Sequence, residues 1–243
     1  MKQASTKELP TTGDEQVTFT LAGVMRGIRR ALPVAVSVFT VGLVFGVLAR
    51  QAGLSWVEAT LMSTLVFAGA SQFVALSLWL IIPFPIITII LTTLVVNLRH
   101  LLMGASLRPW FARLPGFAAY CSLYFMVDES WALTMGEFNA GGRDAAFLLG
   151  SGGLLFIAWV ASSVVGQIAG SSIQNPAQWG LDFAFTAVFI ALLAGMWKGR
   201  SHFLPWTVAA GTALAAYHWL PGEWYIVLGG LAGSLTGAIY RAK

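Results

Sequence analysis

The chain has 243 residues, of which 57% are hydrophobic and only 10% are charged, and its mean hydropathy is +0.76. A soluble domain carries roughly 25% charged residues, so this composition excludes an ordinary cytosolic enzyme, and a disordered chain has the opposite bias. The net charge of +4 is explained by Lys and Arg at helix ends that face the cytoplasm. The sequence therefore predicts a protein of the lipid bilayer that binds no nucleic acid.

Long uncharged runs predict the membrane spans. About 20 apolar residues cross a bilayer as a helix, which predicts an all-α, polytopic helical bundle of seven or eight transmembrane helices. Residues 1–22 are predicted to be a cytoplasmic tail, because the first 20 residues lack the apolar segment of a signal peptide. Residues 23–243 are predicted to form a transmembrane domain. The Lys and Arg distribution favours eight crossings with the N-terminus inside. The predicted spans are approximately residues 31–49, 56–81, 86–107, 117–136, 145–170, 176–197, 203–219 and 223–240.

The second predicted span contains a polar stretch at membrane depth. Ser55 and Glu58 form a capping box that opens this helix. Further along, Gly69 cannot shield the backbone, whereas Ser71 and Gln72 can bond carbonyl groups that a break would free. We expect the helix to be discontinuous at Gly69, with a half-helix end suited to a carboxylate or ammonium group. Close helix packing, with Gln72 bonded across helices, is an equal alternative.

Charged side chains lie inside the third and fourth predicted spans. An ionisable group at membrane depth costs several kcal/mol unless it is paired, so it is a functional candidate. Because these spans share a short loop, Arg99 is predicted to meet Asp128 or Glu129 near the middle of the membrane. The second carboxylate then remains for a proton, a substrate amine or another helix. A scaffolding salt bridge is the alternative.

Two further polar residues and a glycine pattern complete the candidates. Asn97 precedes Arg99 by two residues, and Asp182 lies about two turns inside the sixth predicted span, where a helix N-terminus also favours a carboxylate. No spacing of Cys, His and carboxylates suggests a metal, no nucleotide motif predicts a cofactor, and no triad-like set predicts an enzyme. A double GxxxG pattern marks either a partner interface or internal packing; it comprises Gly229, Gly233 and Gly237.

Five motifs follow one another along the chain: Arg26-Gly27-Ile28, FAGASQF at 67–73, NLRH at 97–100, DES at 128–130 and LDFAFTAVFIALL at 181–193. Together they resemble the AzlC family. The resemblance implies the large subunit of an exporter of valine, leucine, isoleucine and methionine in the bacterial inner membrane. It also implies a small membrane partner of the AzlD type and coupling to protons. The motif positions carried over from the family are Gln72, Asn97, Arg99, Asp128, Glu129 and Asp182.

The sequence thus predicts a secondary transporter subunit that exports apolar amino acids. The substrate carboxylate is expected near Arg99 or the Gly69 break, and its ammonium group near Asp128 or Glu129. Aliphatic side chains would rest on Phe and Leu surfaces, which discriminate one methylene by only ~1–3 kcal/mol, so specificity should be broad. The alternatives are an intramembrane channel and a membrane assembly factor without substrate-coupled transport.

Overall fold

The computed structural model describes residues 17–173, 203–220 and 224–241, together with residues 178, 180, 183, 186, 187, 190, 193, 194, 197 and 199. The secondary structure of this part of the chain is helical, apart from one isolated bridge between Thr18 and Asp144. The predicted all-α fold is confirmed. The helices are α1 (Leu21–Gln51), α2 (Trp56–Leu65), α3 (Gly69–Leu78), α4 (Ile86–Phe111), α5 (Gly116–Tyr124), α6 (Asp128–Asn139), α7 (Ala146–Ser171), α8 (Phe203–Trp219) and α9 (Trp224–Arg241).

Three of the described helices are long and apolar enough to cross a membrane: α1, α4 and α7. The first of them begins ten residues before the predicted span because Thr20 caps it. Its hydroxyl accepts a hydrogen bond from the N–H of Gly23 at 3.2 Å, the usual way in which Thr satisfies a free N–H at a helix start. The sixth predicted span, residues 176–197, lies mostly outside the described residues.

Two predicted spans are each divided into two helices. The second predicted span is interrupted between α2 and α3, so the discontinuity predicted at Gly69 is confirmed. The fourth predicted span was expected to be one continuous helix, and this expectation is wrong, because α5 ends at Tyr124 and α6 begins at Asp128. The chain therefore contains a second interruption that the apolar sequence around it did not indicate.

The chain divides into two compact units. One comprises residues 1–31 and 104–153. In this unit a side chain on Gly27 of α1 would overlap the Phe147 carbonyl of α7, so the two helices touch through their backbones. Trp110 of α4 stacks on Phe138 of α6, with ring centroids 4.4 Å apart. Close backbone contact and aromatic packing thus hold this unit together.

The other unit comprises residues 32–103 and 154–243. In this unit α1 and α7 again meet through small residues, since a side chain on Gly46 would overlap the Ser163 carbonyl. Its core contains Phe45, Phe73 and Trp159, whose rings pack at centroid distances of 5.6 to 6.4 Å. Close packing of these helices places the side chains that surround the interruption between α2 and α3.

Candidate functional site

The interruption between α2 and α3 is a short segment of residues 66–68. The capping box expected from the sequence opens α2: Ser55 Oγ accepts the N–H of Glu58 at 3.2 Å, and Glu58 Oε2 accepts the N–H of Ser55 at 2.8 Å. After α2 ends, Phe67 adopts a φ of 39°, a left-handed conformation that costs a non-glycine residue roughly 1–2 kcal/mol. Its buried ring packs edge-on against Phe156 at 5.0 Å, and this packing offsets the backbone strain.

Ser71 and Asn97 meet at the start of α3. The hydroxyl of Ser71 donates to the carbonyl of Ala68 at 2.9 Å, and Asn97 Nδ2 donates to Ser71 Oγ at 3.3 Å. Since the single hydroxyl proton of Ser71 is already used, the Asn97 amide must turn its NH₂ group toward Ser71. The Oδ1 atom of Asn97 is buried and accepts no hydrogen bond from the described residues. A polar group at this interruption is thus left with an unused acceptor.

Gln72 is completely buried and bonded across helices. Its Oε1 accepts a hydrogen bond from Trp159 Nε1 of α7 at 3.1 Å, and its Nε2 donates to Ser63 Oγ of α2 at 3.4 Å. Trp159 also lies beside Gly69: a Cβ on that glycine would be 3.0 Å from the indole ring. Sequence reasoning missed Trp159, because a tryptophan in an apolar run shows no sign of the long-range partner that it meets.

Arg99 is half-buried in α4, two residues after Asn97. The next residue, His100, has its Nδ1 atom 3.2 Å from the Asn97 carbonyl oxygen. The turn of α4 that carries Asn97 thus also carries a cation. This combination suits a polar or anionic group of a small substrate.

Asp128 and Glu129 are the first two residues of α6, and not interior residues of a longer helix. The preceding interruption is held by Ser130, which is fully buried. Its Oγ accepts the N–H of Val127 at 2.9 Å and lies 3.1 Å from the carbonyl of Phe125, to which it can donate. The N-terminus of a helix favours negative charge, so both carboxylates occupy an electrostatically favourable position.

The structure bears differently on the other residues predicted from the sequence. The pairing of Arg99 with Asp128 or Glu129 stays a prediction, and Asp182 lies outside the described residues. In α9, Gly229 and Gly233 lie against α8: a Cβ would be 2.9 Å from Ala213 Cβ and 2.7 Å from Ala209 Cβ, respectively. Gly237 is looser, at 3.7 Å from Pro205. Within the described ranges, no three His, Cys, Asp or Glu side chains cluster as a metal site would require.

Comparison with known proteins identifies a family and several relatives that this chain resembles in sequence. The family model described as "AzlC protein" matches residues 33–173. The "Branched-chain amino acid transport protein AzlC" of Bacillus subtilis is 30% identical over 86% of this chain and 84% of its own length. The "Inner membrane protein YgaZ" of Escherichia coli is 29% identical over 88% and 89%. An "Uncharacterized membrane protein" of Archaeoglobus fulgidus is 31% identical over 80% and 84%.

No solved structure matches the chain. The family match covers more than half of the sequence, and relatives at about 30% identity extend it over most of the remainder. The helical architecture, with its long apolar helices and divided spans, is that of a membrane protein. The chain belongs to the AzlC family.

Proposed function

We propose that this chain is the large subunit of a secondary transporter that exports branched-chain and related apolar amino acids, including valine, leucine, isoleucine and methionine. It resides in the bacterial cytoplasmic membrane with its N-terminus in the cytoplasm, works with a small AzlD-type membrane subunit, and uses the proton gradient. The name of the Bacillus subtilis relative, a branched-chain amino acid transport protein, supports the substrate class. The Lys and Arg distribution supports the orientation.

The observation that carries this proposal is the interruption between α2 and α3 with Asn97 beside it. Transporters place substrates at discontinuous helices, because free backbone groups and a half-helix dipole are available there. Beside this interruption, Asn97 Oδ1 is a buried hydrogen-bond acceptor that receives no hydrogen bond from the described residues. An acceptor left unpaired in an apolar environment costs about 1–3 kcal/mol, so a bound donor would be strongly favoured. The ammonium group of an amino acid supplies such a donor.

The other parts of an amino acid find complementary groups in the same unit. The carboxylate is bound by Arg99 or by the free N–H groups that begin α3 at Gly69. The Gln72 amide is already hydrogen-bonded to Trp159 and Ser63, so Gln72 stabilises the site without contacting the substrate. Phe and Leu side chains receive the aliphatic part, and such surfaces separate homologous side chains by only ~1–3 kcal/mol. Broad specificity for apolar amino acids follows.

Proton coupling is assigned to the acidic residues. Asp128 and Glu129 begin α6, and together with Asp182 they are the acidic candidates for the proton pathway. Protonation removes the charge that the helix N-terminus stabilises, so each proton bound or released changes the energetics of α6. This link between side-chain charge and helix energetics supports the proposed proton coupling.

The test uses the chain reconstituted with its small partner in liposomes, with efflux of labelled leucine as the readout. Wild-type protein should move leucine, and collapse of the pH gradient by an ionophore should stop net transport; continued net flux at the same rate would indicate a channel. Asn97→Leu should raise the half-saturation concentration about tenfold, because one hydrogen bond to a charged group is worth about 1.5 kcal/mol or more. Asn97→Asp keeps an acceptor, so its half-saturation concentration for leucine should be lower than that of Asn97→Leu.

The matched control is Asn139→Leu, which makes the same substitution at an exposed position where α6 ends. It should leave the half-saturation concentration unchanged. Wild-type half-saturation in Asn97→Leu would show that the amide does not bind substrate. Failure of the wild-type complex to transport any apolar amino acid in a panel would contradict the proposed function itself.

A further inference from the structure

Trp159 fills the space beside the interruption between α2 and α3. It is 5% exposed, and its indole ring lies against the backbone of Gly69, where a Cβ would be 3.0 Å from Cη2. The rings of Phe45 and Phe73 flank it at centroid distances of 5.6 and 6.4 Å. A side chain wedged in this way determines how closely the start of α3 can approach α7.

A closed ring of four hydrogen bonds passes through Trp159. Trp159 Nε1 donates to Gln72 Oε1 at 3.1 Å, and Gln72 Nε2 donates to Ser63 Oγ at 3.4 Å. Ser63 Oγ donates to Ser163 Oγ at 2.9 Å, and Ser163 Oγ donates to the Trp159 carbonyl at 2.7 Å. All four residues are at least 95% buried. The ring therefore ties both halves of the divided span, α2 and α3, to one turn of α7.

The direction of each hydrogen bond is fixed by chemistry. An indole N–H can only donate, so Gln72 must present its oxygen to Trp159 and its NH₂ group to Ser63. The ring consequently orients the Gln72 amide and leaves its oxygen already occupied. Buried polar networks that are satisfied in this way specify one arrangement of the elements that they join.

We infer that Trp159 is a positioning residue for substrate binding: through Gln72 and Gly69 it fixes the geometry of the interruption, and Gln72 acts as a strut within the protein. This inference rests on the proposed function, since it takes the interruption as the substrate site. It gives Gln72 a different role from direct substrate contact. Trp159 acts through its neighbours and does not touch the substrate.

The test is a double-mutant cycle measured in the reconstituted complex. Trp159→Phe removes the N–H donor and keeps an aromatic ring, and Gln72→Met removes the amide at similar volume. Each single variant should raise the half-saturation concentration for leucine about fivefold to tenfold, as the loss of one buried hydrogen bond predicts, with the maximal rate within about twofold of wild type. The double variant should be no worse than the poorer single variant, because both remove the same contact.

Multiplied effects in the double variant would overturn the inference, since they would mean that Gln72 and Trp159 act independently. Trp79→Phe is the matched control: it makes the same substitution at the C-terminal end of α3, where the ring packs against Phe84 at 5.1 Å. It should leave the half-saturation concentration unchanged. If Trp79→Phe raised the half-saturation concentration as much as Trp159→Phe, the assignment would also be contradicted. The effect would then follow from any Trp→Phe substitution and not from the position of Trp159.

A second readout does not require transport. In the purified complex, the indole N–H of Trp159 should exchange with deuterated solvent at least about tenfold faster in Gln72→Met than in wild type, because its hydrogen-bond acceptor is gone. Unchanged exchange would overturn the ring of hydrogen bonds. If exchange responds while the wild-type complex moves no amino acid, the structural ring stands and the proposed function fails, so the two failures are distinguishable.

Discussion

Thr20 and Asp144 are joined by two hydrogen bonds although they lie 124 residues apart in the sequence. The backbone N–H of Thr20 donates to Asp144 Oδ1 at 3.1 Å, and its hydroxyl donates to Oδ2 of the same carboxylate. Asp144 also accepts the N–H of Ala146 at 3.3 Å and pairs with Arg26 at 3.4 Å. One buried carboxylate thus fastens the start of α1 to the start of α7.

Loss of this carboxylate should destabilise the protein strongly. Asp144→Ala is expected to lower the free energy of unfolding by about 2–4 kcal/mol, because several donors lose their acceptor at a position that is only 6% exposed. Glu137→Gln is the control: its ion pair with Arg26 is 3.6 Å long and partly exposed, so it should cost about 1 kcal/mol or less. Thermal unfolding in detergent measures both, and equal costs would contradict the central role of Asp144.

Small residues allow α1 and α7 to touch, and their substitution should separate the helices. A Cβ on Gly46 would overlap the Ser163 carbonyl, so Gly46→Ala should lower the free energy of unfolding by about 1–3 kcal/mol. Gly211→Ala in α8 introduces the same methyl group where no atom lies within 4 Å. It should leave stability unchanged or raise it by about 0.5–1 kcal/mol. Urea or SDS titration measures the stability of both variants. A similar loss of stability in both would show that the effect does not depend on the close contact at Gly46.

The first interruption was partly predictable from the sequence. A capping box and a polar, glycine-bearing stretch are local signals, and they correctly indicated where α2 begins and that the helix is interrupted before Gly69. The residue in the left-handed conformation is Phe67 and not a glycine. Local propensity disfavours this choice, and burial of the ring against Phe156 offsets it, so only the folded structure reveals it.

The second interruption could not have been predicted in this way. Residues 125–127 contain neither glycine nor proline, the usual signals of a helix break. The bend depends on Ser130, and on Gly152 of α7, where any side chain would overlap the Phe125 carbonyl. Gly152 is a distant partner, and a single sequence does not show which distant residues meet. The role of Trp159 was not predictable for the same reason.

Alanine substitution of each glycine in α9 should lower the stability of the chain more, the closer α8 lies to that glycine. A Cβ would be 2.7 Å from the nearest atom at Gly233, 2.9 Å at Gly229 and 3.7 Å at Gly237. Alanine substitutions should therefore destabilise the chain in that order, by up to about 1–3 kcal/mol at Gly233 and by almost nothing at Gly237. The measurement is thermal unfolding of the large subunit alone. Unchanged stability with weakened binding of the small subunit would instead indicate that this face receives the partner.

Ser130 should control both stability and the position of the acidic pair that begins α6. Ser130→Ala leaves the partly buried N–H of Val127 without its acceptor, which should cost about 0.5–1.5 kcal/mol, whereas Ser130→Thr keeps the hydroxyl and should cost less. Because Asp128 and Glu129 lie at the N-terminus that Ser130 holds, Ser130→Ala should also change the pH dependence of leucine efflux. Efflux at several internal pH values, normalised to the amount of folded complex, measures this effect. A profile that only scales down would show that Ser130 stabilises the fold without positioning the carboxylates.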